Sequence, residues 1–217
     1  FGAVFIVNDR VDVALVSEGW VGEPSAVQVL LGNGDGTFTG GPKHLVLYRS
    51  GHHYGIAAGD FDRDGRTDLL AGDGISETVL LTGAGDGTFS SSFRCLTGGV
   101  FPVTMDLDGD GHPEVVAAGI SGAGVAVTRG SISGPMAPRG LLTPSFGEVM
   151  AAGDINGDGR RDLVMGHRLT NNAVSVLLGA PGGNFLPGIT SPLVREARAL
   201  AVGDLNGDGF DDVAAGS

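Results

Sequence analysis

A nine-residue acidic loop occurs four times in this chain of 217 residues, and it constrains the fold more than any other feature. The copies begin at Asp60, Asp106, Asp154 and Asp204, so their starts are 46, 48 and 50 residues apart. A near-constant spacing of this size is typical of repeat proteins, in which each repeat contributes one supersecondary unit. The chain is therefore predicted to be an array of similar units.

Each loop carries oxygen-bearing side chains at positions 1, 3, 5 and 9 and a glycine at position 6. Calcium is a hard cation that takes several oxygen ligands, and glycine suits the sharp turn of a calcium loop. Position 7 shares no side-chain chemistry, so it is predicted to offer its backbone carbonyl. The predicted ligands are Asp60, Asp62, Asp64, Arg66 and Asp68 in loop L1 (60–68); Asp106, Asp108, Asp110, His112 and Glu114 in loop L2 (106–114); Asp154, Asn156, Asp158, Arg160 and Asp162 in loop L3 (154–162); and Asp204, Asn206, Asp208, Phe210 and Asp212 in loop L4 (204–212).

Two other interpretations of these loops fit the sequence less well. An EF-hand would place a bidentate Glu at position 12 and continue into a helix. Position 12 is instead Ala71, Ala117, Met165 or Ala215, within short apolar runs that end in glycine and are strand-length. Ordinary Asp/Gly turns without a metal need one or two such residues, whereas here four oxygen donors recur at fixed spacing.

A second motif, Gly-Asp-Gly-Thr-Phe, occurs at residues 34–38 and 85–89, with a looser copy that ends at Phe185. It is typical of a hairpin turn followed by a strand, so Asp35 and Asp86 are predicted to be turn residues. One unit then has four antiparallel strands in about 48 residues, which is the size of a propeller blade. The chain is predicted to be an all-β propeller of about four and a half blades.

The blades are predicted at 1–52, 53–99, 100–147 and 148–197, with a half-blade at 198–217. The first blade keeps only Asn8, Asp9 and Asp12 of the acidic loop, so no calcium is expected there. Four and a half blades would leave sheet edges exposed, and exposed edges favour association. Further blades or a second copy are therefore expected to complete the ring.

Residues 59–72, with their three later copies, resemble the FG-GAP or VCBS-type repeats of integrin-α-like β-propellers. The resemblance covers nearly the whole chain. It implies a propeller, commonly of seven blades, with Ca²⁺ bound in the hairpin between the two innermost strands of a blade. The implied ligands are the residues of L1 to L4 named above, which makes about four calcium sites. Family members include integrin heads, fungal lectins and secreted bacterial proteins.

Charge and composition limit the partners. The formal charge is −12, and fourteen of the 25 acidic residues are candidate ligands in the loops. Nucleic acid is excluded as a partner because binding phosphates requires basic surfaces. The sequence contains no run of 18 apolar residues, so no membrane-spanning helix is predicted. The chain has a single cysteine, Cys95, which excludes an intrachain disulfide. The chain begins at Phe1 without a methionine or signal peptide, so it is expected to be a mature fragment or part of a longer polypeptide.

Calcium is plentiful outside the cell, so the chain is predicted to be extracellular, secreted or on the cell surface. The favoured function is a calcium-stabilised, non-catalytic binding or adhesion module for a protein or glycan ligand. Candidate ligand residues are Trp20, His52, His53 and Tyr54. The competing interpretation of Trp20 is that it packs over a blade edge. The competing interpretation of His52 to Tyr54 is that they form a solvated turn.

Enzyme signatures are absent: the sequence contains no Gly-x-Ser-x-Gly elbow, phosphate loop or His-Glu-x-x-His motif. One alternative is a propeller domain of a secreted carbohydrate-active enzyme, with His52, His53 or Arg195 in a central cleft. A second alternative is a structural subunit of a surface assembly whose half-blade is completed by a neighbour.

Overall fold

The computed structural model describes residues 2–7, 10–17, 25–47, 55–72, 78–95, 99–119, 125–128, 139–141, 149–167, 172–186 and 188–217. These residues form twenty strands joined by turns, so the prediction of an all-β fold is confirmed. The described residues contain no helix long and apolar enough to cross a membrane.

Sixteen of the strands form four antiparallel sheets of four strands each. Sheet I contains β1 (Gly2–Val7), β2 (Arg10–Ser17), β3 (Ser25–Gly32) and β4 (Phe38–Leu47). Sheet II contains β5 (Gly55–Gly59), β6 (Asp68–Gly72), β7 (Thr78–Gly83) and β8 (Phe89–Cys95). Sheet III contains β9 (Gly99–Met105), β10 (Glu114–Gly119), β11 (Val125–Thr128) and β12 (Arg139–Leu141). Sheet IV contains β13 (Val149–Gly153), β14 (Asp162–His167), β15 (Ala173–Leu177) and β18 (Ile189–Pro192).

The remaining four strands form two smaller sheets. A short hairpin of β16 (Gly179–Ala180) and β17 (Asn184–Phe185) lies between the third and fourth strands of sheet IV. The last sheet has two strands, β19 (Ala199–Gly203) and β20 (Asp212–Gly216), and is called the half-blade below. Each four-stranded sheet is a meander in chain order, as propeller blades are.

The second strands of sheets II and IV are buried on both faces. Leu69, Leu70 and Ala71 of β6 have no exposed surface, and the six residues of β14 are all buried. The sequence of a strand that is covered on both faces is a continuous apolar run and not an alternating one. This explains why the apolar runs that follow L1 and L3 show no period of two.

The first strands of successive sheets pack side by side: β1 on β5, β5 on β9, β9 on β13, and β13 on β19. One apolar core lies between sheets I and II, and a second lies between sheets III and IV. Face-to-face packing in series, with the first strands innermost, is the arrangement of propeller blades. In the described part of the chain β1 and β19 do not pack extensively on each other, so these sheets do not close into a ring.

Candidate metal centre

The four acidic loops each connect the first and second strands of a sheet. The hairpin pairings Gly59 with Asp68 and Gly153 with Asp162 place position 9 at the first residue of the second strand. The pairings Met105 with Glu114 and Gly203 with Asp212 do the same in sheet III and the half-blade. All four loops therefore project from the same end of their sheets, between the innermost strands.

The position-1 carboxylate organises each loop by accepting backbone N–H groups. In L1, Asp60 accepts hydrogen bonds from the amides of Asp64 and Gly65, at 3.1 and 2.9 Å. The bond from the position-6 glycine recurs in the other loops: Gly111 to Asp106 at 2.9 Å, Gly159 to Asp154 at 2.8 Å and Gly209 to Asp204 at 3.0 Å. All four of these glycines have φ between 81° and 91°, which other residues rarely adopt. The sequence prediction for position 6 is confirmed.

The position-5 carboxylate closes a local turn. Its Oδ1 accepts the N–H of position 7 at 2.9 Å in every loop, from Arg66, His112, Arg160 and Phe210 in turn. Asn and Asp side chains commonly bond their own backbone two residues on. Position 7 is therefore held through its amide, and its predicted role as a carbonyl ligand stays a prediction.

The position-9 carboxylate is buried in L1, L2 and L3 and half-buried in L4, and it accepts hydrogen bonds from backbone amides. One of its oxygens accepts the N–H of position 2: Phe61 to Asp68 at 2.9 Å, Leu107 to Glu114 at 2.7 Å, Ile155 to Asp162 at 2.8 Å and Leu205 to Asp212 at 3.1 Å. In sheets II and IV the other oxygen accepts the N–H of the glycine that follows the third strand's leucine, Gly83 at 2.8 Å and Gly179 at 2.7 Å. A buried carboxylate held by several amides is costly to replace, because any substitute leaves those amides unpaired.

Sheet I, whose sequence has only a degenerate acidic loop, also has the hydrogen bond between the third-strand glycine and the position-9 carboxylate. Asp12, which is 2% exposed, accepts the amide of Gly32 at 2.8 Å, as Asp68 does from Gly83. Asn8 and Asp9 lie outside the described residues. The first repeat thus keeps the buried carboxylate of position 9, and its expected lack of calcium remains a prediction.

Two loops bring three carboxylates together. In L1, three carboxylate oxygens lie within 4.8 Å of one another, one each from Asp60, Asp62 and Asp68. In L2, the same holds for one oxygen each from Asp106, Asp108 and Glu114. L3 and L4 have Asn156 and Asn206 at position 3, so they offer an amide oxygen where L1 and L2 offer a carboxylate. These are hard oxygen donors on a hairpin whose backbone is already curved around them, so they fit a cation such as calcium.

The electrostatics of L1 show the effect of crowding these acids. Burial and the neighbouring Asp64 charge raise the pKa of Asp62. Burial raises the pKa of Asp68 to about 6, although the amides of Gly83 and Phe61 oppose the shift. In the more exposed positions, hydrogen bonds from backbone amides instead lower the pKa of Asp110, Asp158 and Asp204. A divalent cation would favour the charged form of all of them.

Neighbouring loops contact each other. Arg63 of L1 lies 3.1 Å from the carboxylate of Asp110 in L2. In L4, Asp211 accepts the amide of Asp154 of L3 at 2.8 Å, and its own amide donates to the carbonyl of Asp154 at 3.2 Å. The four loops therefore form two bonded pairs, L1 with L2 and L3 with L4, and together they are called the loop face below.

A cleft of about 590 Å³ opens on the loop face between L2 and L3. Its wall includes Asp106 and Pro113 from one side and Gly159 and Arg161 from the other. Arg161 is half exposed and lies 3.9 Å from Asp211. The cleft thus combines one acidic and one basic side chain from successive repeats.

The predicted ligand residues Trp20, His52, His53 and Tyr54 lie outside the described residues, so their role stays a prediction. Asp35 and Asp86 are placed as the sequence predicts. Each accepts both the amide and the hydroxyl of the threonine two residues on, Thr37 and Thr88. Both carboxylates are thus engaged in turns at the outer ends of sheets I and II.

Sequence reasoning missed two features of the loops. Position 4 also adopts positive φ in all four loops, at Arg63, Gly109, Gly157 and Gly207. The glycine at the end of the third strand, the donor to position 9, was not singled out. A Leu-x-Gly triplet at 30–32, 81–83 and 177–179 was the signal available for it.

Comparison with protein families supports the reading of these loops as repeats. A family model described as FG-GAP-like repeat matches residues 8–71, 106–165 and 154–215, which together cover most of the chain. Each matched stretch runs from one loop to the next, and the first begins at Asn8, in the degenerate loop of sheet I. No curated protein matches the chain.

Proposed function

Because the chain belongs to the FG-GAP-like repeat family, we propose that it is a calcium-stabilised, extracellular β-propeller module that binds a protein or glycan ligand without catalysis. Repeats of this family are commonly extracellular ligand-binding modules. The observation that carries the proposal is the grouping of position-1, position-3 and position-9 carboxylates in L1 and L2, with oxygens within 4.8 Å of one another.

The calcium ligands in this proposal are side chains already turned inward by the loop backbone. Asp60, Asp62 and Asp68 would hold the ion in L1, with Asp64 and the Arg66 carbonyl completing the set. Each carboxylate oxygen has two lone pairs, so an oxygen that accepts an amide N–H still has one to offer. Bound Ca²⁺ would supply positive charge to a hairpin that otherwise carries three or four carboxylates.

The role assigned to calcium is structural. The four loops occupy equivalent hairpins, and their carboxylates are bonded mainly to the backbone of their own repeat. A catalytic metal keeps an open position beside a base, and such an arrangement would occur once in a molecule. Repetition in four hairpins instead supports a metal that stabilises each blade.

Thermal unfolding with and without calcium tests this role. We expect calcium to raise the Tm above its value in EGTA, because a ligand bound only by the folded chain stabilises it by about 2.7 kcal/mol per site at 100 times its Kd. Asp62→Ala should reduce the calcium-induced rise, because alanine offers no oxygen at position 3, whereas L3 and L4 have asparagine there. It should leave the Tm in EGTA unchanged or higher, since it removes a carboxylate crowded by Asp64 and Asp60.

Asp35→Ala is the matched control for this experiment. It removes the same charge from an exposed turn outside the loop face, so its calcium-induced rise should equal that of the wild type. An equal rise in the wild type and in Asp62→Ala would contradict the assignment of L1 as a calcium site.

The ligand surface in this proposal lies opposite the loop face, on the loops that join the second and third strands and on those between blades. Trp20, His52, His53 and Tyr54 belong to these loops. An exposed tryptophan beside carboxylate and amide groups is suited to stacking on a sugar ring. Binding to a glycan array and to extracellular-matrix proteins, compared between wild type and Trp20→Ala, tests this part. Undiminished binding by Trp20→Ala would remove Trp20 from the site.

The alternative of a carbohydrate-active enzyme is tested separately. Turnover of acidic or neutral polysaccharides, lost in His52→Ala, His53→Ala or Arg195→Ala, would favour it over binding alone. Arg195 lies exposed between β18 and β19. A structural-subunit role would instead appear as stable self-association at working concentrations.

A further inference from the structure

We propose that the cleft between L2 and L3 is a docking site for a protein partner that inserts an aromatic residue followed by an aspartate. The site lies on the loop face, so it is separate from the ligand surface proposed above and goes beyond that function. The chain itself contains the pattern for this contact, because a dipeptide of this kind joins the next two loops, L3 and L4.

At the junction of L3 and L4, the dipeptide Phe210-Asp211 of L4 is seated on L3. The Phe210 ring lies against Gly157, where an added Cβ would come within 2.5 Å of a ring carbon. The Asp211 carboxylate accepts the amide of Asp154 at 2.8 Å, and the Asp211 amide donates to the Asp154 carbonyl at 3.2 Å. L3 therefore receives an aromatic ring on its position-4 glycine and a carboxylate on its position-1 amide.

L2 has the same two receiving residues, Gly109 at position 4 and Asp106 at position 1, and both line the cleft together with Pro113. A Cβ added to Gly109 would meet no atom within 4 Å in the described part of the chain. Its φ of 77° is close to the 71° of Gly157, so the two loops have the same backbone conformation at this point. A glycine lets another group approach the backbone closely, so Gly109 can receive a ring as Gly157 does.

The loop that follows L2 does not fill this place. Positions 7 and 8 of L3, which correspond to the inserted dipeptide of L4, are Arg160 and Arg161. Arg160 is bonded to its own repeat, to the carboxylate of Asp158 at 2.8 Å and to the carbonyl of Gly179 at 3.3 Å. Arg161 is half exposed and borders the cleft. About 590 Å³ of space therefore lies at this junction, where the next junction is filled by a dipeptide.

The charges beside this space favour a carboxylate. The Asp106 carboxylate is engaged inside L2, where it accepts the amides of Gly109 at 2.8 Å and Gly111 at 2.9 Å. The guanidinium of Arg161 lies 3.9 Å from Asp211, which is too far for a hydrogen bond. An incoming aspartate would accept the backbone amide of Asp106, as in the contact between L3 and L4, and would form a charge-assisted bond with Arg161.

The occupant is a partner protein and not a second copy of this chain. The sequence contains an aromatic residue followed by aspartate twice, at Phe61-Asp62 and Phe210-Asp211. Phe61 is 4% exposed, and Phe210-Asp211 is seated on L3 of its own chain. A second copy folded in the same way has neither dipeptide to insert. The partner is therefore expected to present the dipeptide at the tip of an exposed turn, as L4 does.

A labelled cyclic peptide with the sequence of residues 203–212 tests the proposal by fluorescence anisotropy, because ring closure holds the dipeptide in a hairpin. L4 also has an uncovered glycine at position 4, so the reference protein is Gly207→Arg, which blocks that loop. Arginine is accommodated at position 4, as Arg63 shows in L1. We expect saturable one-to-one binding to the reference protein. Peptides with Phe210→Ala or Asp211→Asn should bind about tenfold more weakly.

Two further substitutions in the reference protein locate the site. Gly109→Arg fills the place of the ring and should weaken binding by about tenfold or more, and Arg161→Ala should weaken it by about fivefold. Arg198→Ala is the matched control, because it removes an exposed arginine that pairs with Glu196 away from the cleft, and its affinity should equal that of the reference.

The expected order of affinities is the same in excess calcium and in EGTA, because no metal takes part in the contact. Failure of the calcium assignment would therefore leave this result unchanged. Absence of peptide binding in both conditions would overturn the proposal. Equal affinity of the reference protein, Gly109→Arg and Arg161→Ala would also overturn it, because the peptide would then bind outside the cleft.

Discussion

At the scale of single residues, the acidic loops are held by carboxylates that bond to backbone amides. Each loop position has its own partner: position 1 bonds position 6, position 5 bonds position 7, and position 9 bonds position 2. This division explains why Asp and Asn recur at positions 1 and 5, where a short side chain reaches the amides of its own loop. Position 9 also admits a longer side chain, since Glu114 accepts the amide of Leu107. Two residues of L1, Arg63 and Asp68, lead to predictions.

Arg63 is the one non-glycine residue at position 4 of the four loops, and its φ is 66°. Positive φ strains a residue with a Cβ, while its exposed ion pair with Asp110 contributes little. We expect Arg63→Gly to be more stable than the wild type by about 0.5–1 kcal/mol, measured by urea unfolding in EGTA. A loss of stability would show that the contact between L1 and L2 outweighs the strain.

Asp68 makes stability depend on pH in an unusual direction. Its pKa is raised to about 6 in the folded state, above the ordinary value of 3.8, so the folded chain binds the proton more tightly than the unfolded chain. The stability from this group is fully present below pH 4 and is lost as the pH rises through 6. In EGTA, we expect the cost of Asp68→Asn to be larger at pH 4.5 than at pH 7.5.

Comparing the wild type with Asp68→Asn cancels the opposite contribution of His44. Burial lowers the pKa of His44, and the stability that its neutral form contributes is therefore lost as the pH falls.

In excess calcium, protons compete with the metal, so the stability of the wild type should decrease from pH 7 to pH 5. A cost of Asp68→Asn that is independent of pH would contradict the raised pKa.

At the scale of elements, the third strand is joined to the inner hairpin by one glycine. Gly83→Ala should destabilise the chain by about 3 kcal/mol, because the new Cβ displaces the strand and leaves the buried Asp68 carboxylate short of a donor. Urea unfolding in EGTA measures the loss. Gly40→Ala in β4 is the matched control, since a Cβ there meets no atom within 4 Å, and we expect a change within about 0.5 kcal/mol. Similar effects of both substitutions would contradict the account.

The strands themselves were predictable from the sequence, and parts of the loops were not. Fold class, the hairpin position of the loops and the positive φ of Gly65 followed from residue spacing and turn chemistry. The pairing of Asp68 with Gly83 did not, because it joins residues fifteen apart whose register depends on the whole sheet. Asp12 was recognised as a remnant of a loop, yet its bond to Gly32 could only be seen once sheet I was assembled.

At the scale of the whole molecule, successive repeats are joined by packing of their first strands and by contacts between loops. The half-blade depends strongly on such contacts, since most of its residues are exposed. Its loop contacts L3 through Asp211 and through Phe210, whose ring lies against Gly157. These contacts hold β19 and β20 to sheet IV.

Asp211→Ala should therefore loosen the half-blade selectively. We expect amide hydrogen exchange in residues 199–216 to become on the order of tenfold faster, with sheets I to III unchanged. Asp208→Ala, compared in EGTA, removes the same charge without touching L3 and should leave exchange near the wild-type rate. Faster exchange throughout the chain in Asp211→Ala would mean that the half-blade is not a separate unit of stability.

The central claim is that the acidic loops are calcium sites, and counting bound ions tests it most directly. Native mass spectrometry of the intact chain in calcium is expected to show about four Ca²⁺ per chain, one for each of L1 to L4. Asp62→Ala should lose one ion, because it removes the position-3 oxygen that Asn156 and Asn206 supply in L3 and L4, and Asp35→Ala should lose none. A chain that binds no calcium, or that loses no ion in Asp62→Ala, would contradict the account.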